Sequence, residues 1–188
     1  ECTRIARLIR TLLFLARADT AADALQLESV DLGDELATVV EFYGAAASEK
    51  GVRLRAAGAS GVRAELDRTL FQQTIGNLIS NALVHTPAGG SVELAASASD
   101  GNVLVTVTDT GCGIPPEHLP HVFERFYRIE PSRTGSQQNA GLGLAVVKSI
   151  VNRHGGRVEI ESWVGEGTQV RLTVPSTGPA GLDQLTKS

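Results

Sequence analysis

Asp109 closes an alternating run, Val103-Leu104-Val105-Thr106-Val107-Thr108, and is followed by Thr110-Gly111-Cys112-Gly113. The alternation fits a pleated strand with one favoured face. The carboxylate is therefore expected at a strand end, beside a turn in which two glycines allow a sharp bend and the close approach of a flat ligand. An ionised Asp only accepts hydrogen bonds, so it suits a ring that presents an amine. Adenine offers an exocyclic NH2 where guanine offers a carbonyl, and a buried acceptor left unmet costs about 1–3 kcal/mol. An ordinary β-turn with Asp as turn former uses the same residues.

Asn77 and Asn81 are four apart in a segment whose other positions include Leu78, Ile79, Ala82 and Leu83. On a helix that spacing puts both amides on one face. A hard cation such as Mg²⁺ prefers oxygen ligands, keeps most of its waters and takes one or two protein ligands plus phosphates. An Asn carbonyl supplies oxygen without charge, although asparagines that merely pack a helix have the same pattern. Gly141-Leu142-Gly143 ahead of a helix offers main-chain N–H groups and a helix N-terminus to phosphate. Arg125, Arg128, Arg133 and Lys148 surround the polar stretch before it, as phosphate partners or as a solvated basic face. His85, His118, His121 and His154 share no spacing of a metal site and read as structural.

The elements that must position these groups follow from the bulk of the chain. Its 188 residues are 42% hydrophobic but only 4% aromatic, so aliphatic side chains fill the core. The net charge is −4, from 21 acidic against 17 basic residues, which gives no basic excess for nucleic acid. Cys2 and Cys112 make neither a disulfide framework nor a zinc site, and a reduced cytosolic setting fits. No uncharged apolar run is long enough to span a bilayer, and no signal peptide is visible. The chain has no Met and starts at Glu1, which reads as a fragment.

Residues 1–18 read as a helix with a seam of Ile5, Leu8, Leu12 and Leu15 that needs a partner helix. Residues 19–27 read as a linker, 28–176 as a compact domain and 177–188 as a frayed tail. Within the domain the pattern predicts a short strand at Val30 to Leu32 and a helix from about Gly33 to Glu49. Two short strands, Val52 to Leu54 and Val62 to Leu66, flank a Gly/Ser turn. The longest helix starts at Asp67 as N-cap and runs to Pro87. Strands 91–96 and 102–109 pair around Asp100-Gly101. A short helix from Pro115 carries Val122, Phe123 and Phe126 as an aromatic cluster. The polar stretch 130–140 has no period. A helix to His154 is stopped by Gly155-Gly156, and strands 157–163 and 168–174 close the domain.

Taken in order, Asn77-x-x-x-Asn81, Asp109-x-Gly111-x-Gly113, Phe123-x-x-Phe126 and Gly141-x-Gly143 resemble the N, G1, F and G2 boxes of sensor histidine kinases. The resemblance extends through Asn77-Leu78-Ile79-Ser80-Asn81-Ala82, His85-Thr86-Pro87, Phe123-Glu124-Arg125-Phe126-Tyr127-Arg128, Gly141-Leu142-Gly143-Leu144-Ala145-Val146-Val147-Lys148 and His154-Gly155-Gly156. It covers roughly residues 1–176. It implies an α/β (α+β) two-layer sandwich, a mixed sheet with helices on one face, of the histidine kinase and gyrase type. Residues 1–18 then look like the end of a dimerisation hairpin. Residues 12–19 and Glu41-Phe42-Tyr43 look similar to the heavy-metal (copper/silver) sensor subfamily.

The resemblance further implies ATP and Mg²⁺ as ligands. Asp109 would read adenine, Gly111, Gly113 and His85 would shape the base pocket, and Asn81 with Asn77 would hold Mg²⁺. Residues 129–140 would form a lid, with Gly141, Leu142, Gly143, Arg128 and Lys148 at the phosphates. Related ATPases usually carry Glu at the position of the catalytic Asn77. An amide cannot take a proton from water, so slow hydrolysis is expected. Two departures matter. Val84 stands where the family commonly has Lys or Arg, and His85 replaces the usual aromatic residue. None of the four histidines lies in an acceptor H box, so the acceptor is expected on a dimerisation domain outside this chain, for relay to a response regulator. The parent is expected to be a homodimer anchored in the bacterial inner membrane with this domain in the cytoplasm. A transfer-deficient nucleotide-dependent module and an ATP-hydrolysing relative are the competing readings.

Overall fold

The computed structural model describes residues 24–58, 61–129 and 141–179. The helix expected at 1–18, most of the linker, nearly all of the expected lid and the end of the tail lie outside them. Along the chain come strand β1 (Glu28–Asp31), helix α1 (Leu32–Glu49), strands β2 (Arg53–Ala57) and β3 (Arg63–Leu66), helix α2 (Arg68–His85) and strands β4 (Ser91–Ser99) and β5 (Asn102–Asp109). A 3-10 helix (Pro116–His121), helix α3 (Gly143–Arg153) and strands β6 (Arg157–Trp163) and β7 (Gly167–Pro175) complete it.

Five strands form a mixed sheet in the order β2-β4-β5-β7-β6, in which only the β2–β4 pair is parallel. Side chains alternate between the faces of a strand, and here one face is buried. Val92, Leu94 and Ala96 of β4, Val103, Val105 and Val107 of β5, and Val170, Leu172 and Val174 of β7 all point into the core, while the residues between them do not. The helices cover that face with Leu36 and Val39 from α1, Ile75, Leu78 and Ile79 from α2, and Val147 and Val151 from α3. Each such aliphatic side chain contributes about 1.5–3 kcal/mol when fully buried.

Local chemistry sets the helix starts. Asp31 caps α1 by accepting from the N–H groups of Gly33 and Asp34 at 3.0 and 3.4 Å. Asp67 caps α2, its Oδ1 accepting from the Leu70 N–H at 3.1 Å. Helices α2 and α3 lie antiparallel. Leu142, Val146 and Ile150 make a second apolar cluster against Leu70 of α2.

The structure departs from the sequence pattern in three places. The two short strands on either side of the Gly/Ser turn do not pair with each other: β2 joins β4, while β3 pairs antiparallel with β1 in a separate two-stranded sheet. The short helix near Pro115 is a single 3-10 segment, and Val122, Phe123 and Phe126 lie beyond it. Phe126 is 59% exposed, and the ring packing there is instead Tyr127 against His118 and His121. Packing also continues past residue 176. Glu65 donates its N–H to the Ser176 carbonyl at 2.9 Å, and Gly178 is buried near Leu27.

Candidate functional site

Asp109 is the last residue of β5, between Val92 of β4 and Thr168 of β7. Its Oδ1 accepts the Gly111 N–H at 2.8 Å. Burial pushes the Asp109 carboxyl above the usual range, opposed by the N–H groups of Gly111 and Thr168 and by nearby His85. A carboxylate has about four lone-pair sites, so acceptor capacity remains for a ligand.

The glycines after Asp109 are required by the protein's own packing. A Cβ on Gly111 would stand 2.7 Å from both Asp109 Oδ1 and the His85 carbonyl oxygen. Gly113 has φ +71°, and a Cβ there would meet the Trp163 carbonyl oxygen at 2.1 Å. The turn is fastened on both sides. Cys112 donates its N–H to the His85 carbonyl at 3.2 Å, and Gly165 donates to the Cys112 carbonyl at 2.8 Å. Ile114 donates to Ser162 Oγ at 2.8 Å, and that hydroxyl in turn donates to the Gly167 carbonyl at 2.9 Å. Sequence reasoning missed Ser162. The available signal was the alternation Val158, Ile160, Ser162, which carries a hydroxyl onto the inner face of β6.

His85 ends α2 beside this turn. Its side chain is exposed at the rim, yet the protein around the ring lowers its pKa; Asp109 acts in the opposite sense and Lys50 adds to the lowering. The next residue, Thr86, is buried, and among the described residues its hydroxyl has no hydrogen-bond partner.

The second group of candidate residues lies one and two turns back along α2. Asn81 and Asn77 are half-buried, and both face the start of α3. A Cβ on Gly143 would be 3.6 Å from Asn81 Nδ2, 3.8 Å from Asn81 Oδ1 and 3.9 Å from Asn77 Oδ1. Leu142 is the N-cap of α3 and makes no side-chain cap; the first N–H groups of a helix carry its partial positive charge. Two amide oxygens beside a helix start are a hard-oxygen set that fits a cation held mainly by water and phosphate. Among the described residues no group of three or more His, Cys, Asp or Glu is placed to hold a metal alone.

Gly141 has φ +69°, a Cβ there would meet the backbone of Phe126 and Tyr127, and its carbonyl accepts the Phe126 N–H at 2.8 Å. Phe126 itself has φ +65°, a conformation that costs a non-glycine residue about 1–3 kcal/mol. Phe126 and Gly141 are thereby tied together. Arg128 is exposed nearby. Lys148 is not part of this grouping. It lies five residues past Gly143, about 140° around the helix, and its ammonium sits 5.9 Å from the centre of the Phe123 ring.

Residues 66–178 match the family of histidine kinase-, DNA gyrase B- and HSP90-like ATPases. The chain belongs to that family. Among curated relatives it is 39% identical over 176 residues to the sensor histidine kinase CusS of Escherichia coli K12, an alignment that takes in 94% of this chain and 36% of CusS. The chain thus spans about a third of the length of that relative. Among solved structures it is similar to full-length ShkA in complex with AMPPNP, with a TM-score of 0.82 and 32% identity over 94% of this chain and 37% of ShkA. It is also similar to the mycobacterial sensor histidine kinase MprB, with a TM-score of 0.67 and 27% identity over 81% of this chain and 99% of that one. The mixed sheet with helices is the fold of histidine kinase catalytic domains, and all four boxes lie inside the matched residues. This is an ATP-binding catalytic domain of the sensor histidine kinase type. Among the described residues no helix is long and apolar enough to cross a membrane.

Proposed function

We propose that this chain binds Mg²⁺-ATP along the last turns of α2 and presents the γ-phosphate to a histidine on the dimerisation domain of its parent kinase. The observation that carries the reading is the order of groups on that helix. His85 and the Asp109 turn stand at its end, and Asn81 and Asn77 lie about 6 and 12 Å back along the axis at 1.5 Å per residue. Gly143 faces both amides. A base held at Asp109 therefore directs its phosphates toward the start of α3.

In this reading Asp109 accepts from the adenine amine, with His85 at the rim. The carbonyl oxygens of Asn81 and Asn77 hold Mg²⁺, which offsets phosphate charge when bound. Gly141, Leu142 and Gly143 serve through main-chain N–H groups, the Leu142 side chain being buried in the α2–α3 contact. Arg128 reaches the γ-phosphate, and Lys148 has a role only if its side chain leaves Phe123. Phosphoryl transfer is chiefly positioning and charge stabilisation. The Asn77 amide cannot take a proton from water, so the phosphate is kept for a protein acceptor. The parent is a membrane-anchored homodimer that relays phosphate to a response regulator, and the likeness to CusS supports the heavy-metal sensor subfamily.

Supplying the dimerisation domain in trans with labelled ATP tests the transfer step: acid-labile phosphate on that domain is expected. Val84, 40% exposed at the end of α2, favours the competing reading of a transfer-deficient module. Nucleotide binding without any label would establish it. Rapid phosphate release without an acceptor would favour an ATP-hydrolysing relative.

A further inference from the structure

His154 is 3% exposed, and both of its ring nitrogens are engaged. Nδ1 lies 2.8 Å from the Ile150 carbonyl oxygen, one turn back on its own helix. Nε2 lies 3.1 Å from the backbone nitrogen of Asp67, the N-cap of α2. A carbonyl only accepts and a backbone N–H only donates, so the ring must carry its proton on Nδ1 and offer Nε2 as acceptor. The neutral ring thus bolts the end of α3 to the beginning of α2.

The other end of the same helix pair is the phosphate side of the site, where Gly143 faces Asn81 and Asn77. Between the two ends the contact is aliphatic, through Leu142, Val146, Ile150 and Leu70. Such burial is non-directional and does not by itself fix how far one helix slides along the other. A hydrogen bond loses strength within a few tenths of an ångström and a few tens of degrees. We propose that His154 is a positioning residue that sets the axial register of α3 on α2, and so holds the start of α3 at the height of the Asn77 and Asn81 amides. This rests on the reading of that face as the triphosphate site.

Protonation would put a second donor opposite the Asp67 N–H and break the bolt. Burial is the largest influence on the ring and lowers its pKa; the Ile150 carbonyl and Asp67 across the contact favour the proton, and Arg153 on its own helix adds to the lowering. Gly155, the next residue, packs on Pro175 and Pro179, which are uncharged.

The test compares two probes, Mg²⁺-AMPPNP and adenosine, titrated into the 188-residue chain by calorimetry. His154→Phe keeps an aromatic ring of similar size without the hydrogen bonds. It should weaken AMPPNP about tenfold, the factor that corresponds to 1.4 kcal/mol, while adenosine, which engages only the Asp109 end, stays within about twofold. His154→Gln keeps an acceptor for Asp67 and should recover most of the AMPPNP affinity; it also serves if His154→Phe does not fold. Acidification from about pH 7.5 to about 5 should lower the AMPPNP-to-adenosine affinity ratio more in the wild type than in His154→Gln, which has nothing to protonate there. An unchanged ratio in His154→Phe, an equal loss for both probes, or identical pH dependence in the wild type and His154→Gln would overturn the proposal. Adenosine binding that ignores Asp109→Asn would instead count against the base reading, and leaves the comparison between His154 variants intact.

Discussion

Asp109→Asn separates recognition from folding. In the wild type one carboxylate oxygen accepts the Gly111 N–H at 2.8 Å and the Thr168 N–H also acts on the carboxyl, so of its roughly four lone-pair sites some are left for a ligand. The amide is nearly the same size but has one oxygen and one NH2. If its oxygen stays on Gly111, its NH2 meets the adenine amine, donor against donor. If it flips, the Gly111 N–H is left without its partner. Either arrangement loses a hydrogen bond to a charged acceptor, worth about 1.5–3 kcal/mol, so the dissociation constant for Mg²⁺-ATP should rise roughly 10- to 150-fold. Folding should respond differently. Burial raises the Asp109 pKa, which means that the fold disfavours the charge. A neutral isostere should leave the melting temperature of the nucleotide-free chain unchanged or slightly higher. Calorimetric titration paired with thermal melting reads both quantities. Undiminished binding would refute the base-reading role, and a collapse in stability would show that the carboxylate is structural.

Removing Mg²⁺ with a chelator should weaken AMPPNP binding in the wild type, whereas Asn81→Ala should show the weaker affinity with or without the metal; the two titrations are compared directly. Gly113→Ala forces a φ of +71° on a residue with a Cβ and aims that Cβ at the Trp163 carbonyl. The backbone term alone costs about 1–3 kcal/mol, so the melting temperature should fall by roughly 5 °C or more. The lowered pKa values of His154 and His85 mean that the unfolded chain binds more protons than the native one between the folded pKa and about 6.5. Stability is therefore full above pH 6.5 and should decline as pH falls below it, while Asp109, whose pKa is raised, acts in the opposite sense in the carboxylate range; urea denaturation across this range checks the slope.

The helices were legible because their signals are local. Asp67 as N-cap, Gly155-Gly156 as a stop and the four-residue spacing of Asn77 and Asn81 all act within a few residues. The strands were legible as strands, but the partners of β2 and β3 were not. Both are short runs next to a Gly/Ser turn, where a hairpin is the local expectation, and only long-range pairing with β4 and β1 sends them to different sheets. The site divides similarly. Asp109 at a strand end, and Asn77 with Asn81 on one helix face, follow from period alone. Why Gly111 and Gly113 must be glycine does not, because the obstructing atoms belong to His85 and Trp163, far along the chain. The alternation along β6 marks Ser162 as inward-facing and no more; its role, like that of His154, depends on a hydrogen bond to a backbone group distant in sequence. Lys148 reads in the sequence as one of the cations around the polar stretch, and in the fold its ammonium lies over the Phe123 ring.

The central claim is that one helix end orders a base and then a triphosphate, and a crystal structure with Mg²⁺-AMPPNP tests it most directly. The account predicts the exocyclic amine within hydrogen-bonding distance of Asp109 and the phosphates between the Asn77 and Asn81 amides and the start of α3. A base bound away from Asp109, or phosphates that leave both asparagines untouched, would contradict it.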